Sequence, residues 1–260
     1  KTTDAGETWV TIPSNVSNNL YSIDFTNYPN GIITGNQGTI LVTTNGGLNW
    51  QPRSSGISSI IYSVTYLGDD EYIAVGNSGY ILKTTNNGYN WTVIKKESSI
   101  PLYKIKSVNN KVWVVGDNGT ILYSTDKGLT WGRIGASITF ETLNGLDVIN
   151  GNNLFAVGGN GVVINSLNRG IDWLIQNSNT QKELRDVKFI DPNRGWAVGD
   201  SGTVIKTSNG GVNWTTSNIP VSKNLESVDF FDQDYGVTVG DGGAIFITSN
   251  GGTTWINRTT

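Results

Sequence analysis

Six residues of this 260-residue chain recur at intervals of 41: Tyr21, Tyr62, Tyr103, Asn144, Arg185 and Glu226. Each follows the leading Leu or Ile of a short motif, in LYSIDF, IYSVTY, LYKIKS, LNGLDV, LRDVKF and LESVDF. Three tyrosines followed by three polar residues make an asymmetric set. Tyr and Arg are among the side chains that carry most of the energy at protein interfaces, so this set is a candidate partner-binding surface. The same spacing also suits ordinary packing positions between repeats, and the sequence leaves that alternative open. A second motif places Asp117, Asp200 and Asp241 in GDNG, GDSG and GDGG. They read as turn-forming residues bonded to their own backbone, or, on the sharper reading, as an acidic face for a cation or a basic partner.

Covalent and metal chemistry has little to work with. Histidine and cysteine are both absent. That removes the commonest general base, thiolate chemistry and the usual transition-metal ligands. No EF-hand-type loop appears, so neither a metal nor a cofactor is expected. A glycosidase needs two carboxylates about 5–10 Å apart. The 21 Asp and Glu residues allow such a pair, but no motif marks one. With a net charge of −3 and scattered Lys and Arg, no basic stripe suggests nucleic acid. No apolar run approaches the ~18 residues of a membrane-spanning helix, so membrane insertion is not expected. Abundant Asn, Ser, Thr and Gly with little charge resembles secreted or surface proteins, which makes extracytoplasmic the expected location. Asn-x-Ser/Thr sequons at Asn15, Asn90, Asn118, Asn213 and Asn257 fall mostly within repeat motifs and read as incidental.

The elements that position these residues come from the repeat. Seven turns, from TTDAGETW through TTNGGLNW to TSNGGTTW, end at Trp9, Trp50, Trp91, Trp131, Trp173, Trp214 and Trp255. A fixed period of about 20–50 residues marks a repeat architecture. In residues 61–97, four short β-branched and aromatic runs are separated by Gly, Asn and Asp turns. That pattern is antiparallel β-structure. Four strands per 41-residue unit, unable to bury both faces alone, describe a propeller blade. Complete units are expected near 20–56, 61–97, 102–137, 143–178, 184–219 and 225–260, forming a single domain over 1–260. Residues 1–13 supply the end of a third strand, a turn and a fourth strand. The parent is expected to have seven blades, the missing inner strands coming from another segment or a neighbouring chain. The repeated turn reads as scaffold. Its Thr and Asn (Thr43, Asn45) bond the turn backbone, its Gly takes positive φ, and its Trp caps the blade core as it enters strand four.

The turn resembles the Asp-box, or BNR, repeat of sialidases and several other propellers. Together with GNQGTIL, GDNGTIL and GDSGTVI, it is similar to the propellers of the photosystem II assembly and stability factor family. That resemblance covers nearly the whole chain. It implies a β-propeller that binds proteins rather than catalysing. The sialidase RIP motif is missing and arginine is scarce, so neither sialidase activity nor a basic docking patch carries over. The expected function is a non-enzymatic, extracytoplasmic protein-binding or surface-assembly scaffold. The alternatives are a carbohydrate-binding or glycoside-processing propeller and a structural module of a larger cell-surface protein. The candidate residues should gather at a channel mouth, with the Asp-box turns on the opposite, outer rim. One step inward, Asp24, Thr65, Lys106, Asp147, Lys188 and Asp229 are expected to neutralise one another across the channel.

Overall fold

Runs such as Tyr72–Val75 and Phe155–Val157 are apolar at consecutive positions, so both faces of a strand must be covered. The computed structural model, which describes residues 1–25, 27–96, 99–134, 138–217 and 219–258, shows how. Among these residues lie six four-stranded antiparallel sheets, each a meander in chain order. They fall into two compact units, 11–135 and 1–10 with 136–260. The expected repeat ends at 97, 137 and 260 lie outside the described residues.

The unit of 11–135 holds three blades. Blade 1 is β1 (Leu20–Asp24), β2 (Gly31–Gly35), β3 (Ile40–Thr43) and β4 (Gln51–Arg53). Blade 2 is β5 (Ile61–Gly68), β6 (Glu71–Gly76), β7 (Tyr80–Thr84) and β8 (Thr92–Lys96). Blade 3 is β9 (Leu102–Val108), β10 (Lys111–Gly116), β11 (Ile121–Ser124) and β12 (Gly132–Arg133). The other unit holds blade 4, with β13 (Leu143–Ile149), β14 (Asn153–Gly158), β15 (Val163–Ser166) and β16 (Leu174–Gln176). Blade 5 is β17 (Leu184–Phe189), β18 (Gly195–Gly199), β19 (Val204–Thr207) and β20 (Thr215–Thr216). Blade 6 is β21 (Leu225–Phe230), β22 (Gly236–Gly240), β23 (Ala244–Thr248) and β24 (Ile256–Asn257).

Most of the core lies between blades, and Ile33, Leu41 and Trp50 of blade 1 pack with Ile12, Val16 and Phe25. Ile32, Ile40 and Val42 of blade 1 pack on Ile61, Tyr72, Ala74 and Leu82 of blade 2. Ile73, Val75 and Ile81, on the other face of blade 2, pack on Leu102, Ile105 and Val114 of blade 3. Blade 4 meets blade 5 through Phe155 and Phe189, whose rings stack at 3.5 Å. Trp196 and Phe230 repeat that stack at 3.6 Å between blades 5 and 6. Alternate residues of one strand thus serve opposite neighbours, which is why the middle strands are apolar throughout.

Within each unit, Asp-box turns key a blade to the one before it. The Ser124 Oγ accepts the Gly128 amide at 2.8 Å and donates to Asp126 at 2.7 Å. All seven turn glycines take positive φ, from Gly252 at 73° to Gly6 at 91°. Gly88 lies against Ile32 and Val42, Gly128 against Ile73, and Gly252 against Trp196, each on the preceding blade. A Cβ on Gly88 would sit 2.9 Å from Val42, so glycine serves the close approach as well as the φ angle. Tryptophan precedes the fourth strand rather than entering it. The Nε1 atoms of Trp91, Trp131 and Trp173 donate to the turn glycine's carbonyl at 3.0–3.1 Å, which ties the ring to the turn.

Residues 1–10 form the same turn, with one reciprocal backbone pair between Lys1 and Val10. The strands expected in 1–13 are not formed there, because the pairing does not extend beyond that couple. The turn sits on blade 6, with Gly6 beside Ile247 and Glu7 paired to Arg258 at 2.9 Å.

Two predictions follow from the turns. Trp214 is 1% exposed, and Trp214→Ala should cost about 3–5 kcal/mol in denaturant unfolding. Hydrogen bonds to its carboxylate from the side chain and backbone of Thr130 and from the Ser124 hydroxyl lower the Asp126 pKa to about 2. A depressed folded pKa contributes stability above the unfolded value of 3.8 and loses it as pH falls toward 2. Asp126→Asn should therefore remove part of the acid sensitivity of unfolding between about pH 4 and 2, and carboxyl NMR of the parent should show the Asp126 midpoint near 2.

Candidate functional site at the bulged first strands

Each first strand begins with a β-bulge, and one residue is skipped by the register. Leu20 pairs with Gly35 and Ser22 with Thr34, leaving Tyr21 without a partner. The same slip passes over Tyr62, Tyr103, Asn144, Arg185 and Glu226. The candidate residues are therefore the bulged residues of all six blades. A bulge re-aims its side chain, and bulges are enriched beside functional sites.

A glycine makes the bulge fit. A Cβ on Gly35, Gly76, Gly116, Gly158, Gly199 or Gly240 would lie 1.8–2.3 Å from the carbonyl oxygen just before the first strand. These glycines are extended, so close approach and not φ selects them. That carbonyl accepts the amide of the following residue: Asn19 from Asn36 at 2.8 Å, and Glu183 from Asp200 at 3.0 Å. The second-to-third turns also meet the fourth-to-first connections. Ile219 donates to Gly202 at 2.9 Å, and Gly202 to Lys223 at 2.8 Å.

In the unit of 11–135 the bulged residues form an aromatic ladder. Tyr21 and Tyr62 have ring centroids 5.7 Å apart, tilted 57°. Tyr62 and Tyr103 lie 5.0 Å apart, tilted 53°. Burial, with a smaller contribution from Tyr21, raises the Tyr62 pKa and so favours its neutral phenol. Tilted rings offer edges and hydroxyls as well as faces, and no flat platform for a sugar. Asp117 is bonded by its neighbour Asn118 at 3.4 Å. Further out, Gln37, Thr39, Arg53 and Ser55 line a shallow pocket of about 250 Å³. That is below the ~300–1,000 Å³ of ordinary ligand pockets.

In the other unit the polar trio is tied sideways. Asn144 donates to Glu183 Oε1 at 2.9 Å and to the Leu184 carbonyl at 3.1 Å. Arg185 donates from Nε to Asp200 at 2.8 Å and from Nη1 to Glu226 at 3.3 Å. Burial opposes the Arg185 charge, but the Asp200 bond and the field of Glu226 outweigh it and raise its pKa. Burial pushes the Glu226 carboxyl up, Arg185 opposes this, and Asp241 adds to it. Arg185 is thus committed to two carboxylates and offers no open anion site. Asp200 is a salt-bridge partner as well as a turn residue.

The inner polar positions stitch neighbouring first strands together. Asp24 accepts the Tyr66 amide at 2.9 Å, and Asp147 the Phe189 amide at 2.7 Å. Lys188 pairs with Asp229 at 2.8 Å. Within each unit these groups are satisfied by the adjacent blade, a nearer partner than one across a channel. Glu183, which accepts from Asn144, and Glu141, which accepts from Asn160 at 2.9 Å, also stand beside the bulged strand starts and were missed in the sequence. Both stand two residues before a repeat's leading Leu or one before it, where the connections vary most. Among the described residues no group of three or more His, Cys, Asp or Glu could hold a metal, and no helix is long and apolar enough to cross a membrane.

Residues 1–109 match the family described as photosynthesis system II assembly factor YCF48. YCF48 from Cyanidioschyzon merolae superposes with a TM-score of 0.76 at 20% identity, covering 95% of this chain and 87% of that one. The chain is an Asp-box propeller resembling that family. A structure titled YCF48 bound to D1 peptide gives 0.77 at 21% identity, over 95% of this chain and 82% of that one. The GH74 xyloglucanase from Xanthomonas campestris gives 0.72 at 9% identity, over 89% of this chain and 45% of that one. These likenesses show the β-propeller fold. No curated protein sequence matches the chain.

The Arg185 bridge yields a test. Arg185 lowers the Glu226 pKa, so Arg185→Ala should raise it further. Carboxyl NMR titration of the two proteins reads the difference, and an unchanged Glu226 would show that the pair is broken in solution.

Proposed function

We propose that the chain is a non-enzymatic protein-binding assembly scaffold acting outside the cytoplasm, with the Tyr21–Tyr62–Tyr103 ladder as its main contact. The observation that carries this reading is the division among the bulged residues. Asn144, Arg185 and Glu226 are bonded to neighbours, whereas the tyrosines present aromatic surface at the same structural position. Tyrosines provide large, amphipathic contact area at small entropic cost. The similarity to a YCF48 solved with a D1 peptide supports a protein partner. The composition, rich in Asn, Ser, Thr and Gly, supports the location. The xyloglucanase shares the fold at 9% identity, and the rings here are tilted against one another rather than coplanar.

The experiment is site-specific photo-crosslinking in the cells that make the protein, with mass spectrometry of the adducts. A photo-reactive residue at Tyr62 or Tyr103 should yield a defined protein partner, and one at Val212 on an Asp-box turn should not. Once the partner is isolated, Tyr62→Ala should weaken binding at least about 30-fold, the ~2 kcal/mol of an interface hot spot. Adducts confined to Val212, or to glycans, would overturn the assignment, and recovery of the protein in the cytoplasm would overturn the location.

A further inference from the structure

The fourth strand of every blade is a sheet edge with unpaired backbone groups, the feature through which β-proteins stick to one another. Most of these edges are protected. β4 carries Pro52 and Arg53, β8 has a bulge and ends in Lys95 and Lys96, and β12 carries Arg133. β20 is two threonines, and β24 is two residues followed by Arg258. β16, Leu-Ile-Gln, has no charge, no proline and no bulge. Leu174 and Ile175 are 63% and 62% exposed, and Leu167 and Ile171 on the preceding turn are 61% and 72% exposed.

The register shows which backbone groups face outward. In blade 5, Ser217 donates to the Val204 carbonyl at 2.8 Å, so the alternate residue Thr216 points its amide and carbonyl away from β19. Blade 4 has the same register, with Val163 opposite Gln176 and Ile164 opposite Ile175. Ile175 therefore directs its own amide and carbonyl to the free edge. In blade 1 the residue in that place, opposite Leu41, is Pro52, which has no amide to offer.

We propose that β16 is a self-association edge, through which two copies of this chain pair their β16 strands antiparallel about a two-fold axis at Ile175. The occupant is a second copy because the strand is uncharged and its two-fold pairing is self-complementary. Ile175 meets Ile175, Leu174 meets Gln176, and no like charges are brought together. Even with all four exposed apolar side chains covered in both copies, the pair would bury at most about 900 Å². That falls below the ~1,200 Å² of stable complexes and in the class of weak, transient ones. The dimer therefore forms at high local concentration, as on an assembly surface, and dissociates on dilution.

Sedimentation velocity of the whole chain from about 10 μM to 1 mM should show reversible dimerisation. Ile175→Pro copies the blade 1 solution and removes an amide that its own sheet does not use. It should weaken the dimer at least tenfold with an unchanged melting temperature, and Ile175→Lys should do the same. Val93→Lys on the β8 edge should leave the dimer intact. A monomer at all concentrations, or a dimer indifferent to Ile175→Pro and Ile175→Lys, overturns the proposal. A monomer that binds an added apolar strand peptide at β16 also overturns it, in favour of a foreign strand.

Discussion

A carbonyl oxygen lying where a side chain would otherwise begin sets the form of every blade. The glycine ending each second strand admits the carbonyl that precedes the first strand, and the amide after the glycine bonds it. With that contact fixed, the first strand has one residue too many for its partner and ejects it as a bulge. The bulge then carries a position at the start of the first strand that is free of ladder duty. Six copies of one steric constraint thus produce six addressable side chains, three of them tyrosines. A methyl group on any of these glycines would push the carbonyl away and cost both the bulge and the aim of its side chain.

Packing follows a nearest-neighbour plan. Within each unit apolar slabs are shared by neighbouring blades, and the turns at Gly88, Gly128, Gly211 and Gly252 rest on the blade before their own. Energy is therefore distributed over joints, as in other repeat proteins, rather than gathered in a central core. The turn at residues 1–10 obeys the same rule by resting on blade 6. This explains why the turn motif is repeated so faithfully while the connections of the opposite face diverge.

The sequence made the blades legible because a 41-residue period, glycine turns and apolar runs are local signals. The turn glycines, the Thr–Asx bonds and the spacing of Tyr21 through Glu226 could all be read from it. The bulges could not, since they arise from pairing between strands, although the glycine in each Val-Gly or Thr-Gly pair was their trace. The lateral ties also escaped notice. Nothing local says that Asp147 will accept the amide of Phe189, 42 residues on, or that Arg185 will lie between Asp200 and Glu226. The tryptophan, expected to enter strand four, stands just before it, and in Trp91, Trp131 and Trp173 the indole is bonded to the turn.

The stitches between first strands differ in kind from joint to joint. Blades 2 and 3 are joined by hydroxyls, with Ser63 accepting from Ile105 at 3.3 Å and Thr65 beside Ser107 at 3.1 Å. Blades 4 and 5 use the Asp147 carboxylate at 2.7 Å, and blades 5 and 6 add the Lys188–Asp229 pair. Charge-assisted bonds are roughly twice as strong as neutral ones. Under mechanical load, the hydroxyl bonds between the first strands of blades 2 and 3 would yield before the carboxylate bonds between those of blades 4 and 5, leaving the Lys127–Asp69 pair at 2.7 Å as the charged tie between blades 2 and 3. The side chains along the inner strands thus act as a graded series of fasteners in an otherwise uniform repeat.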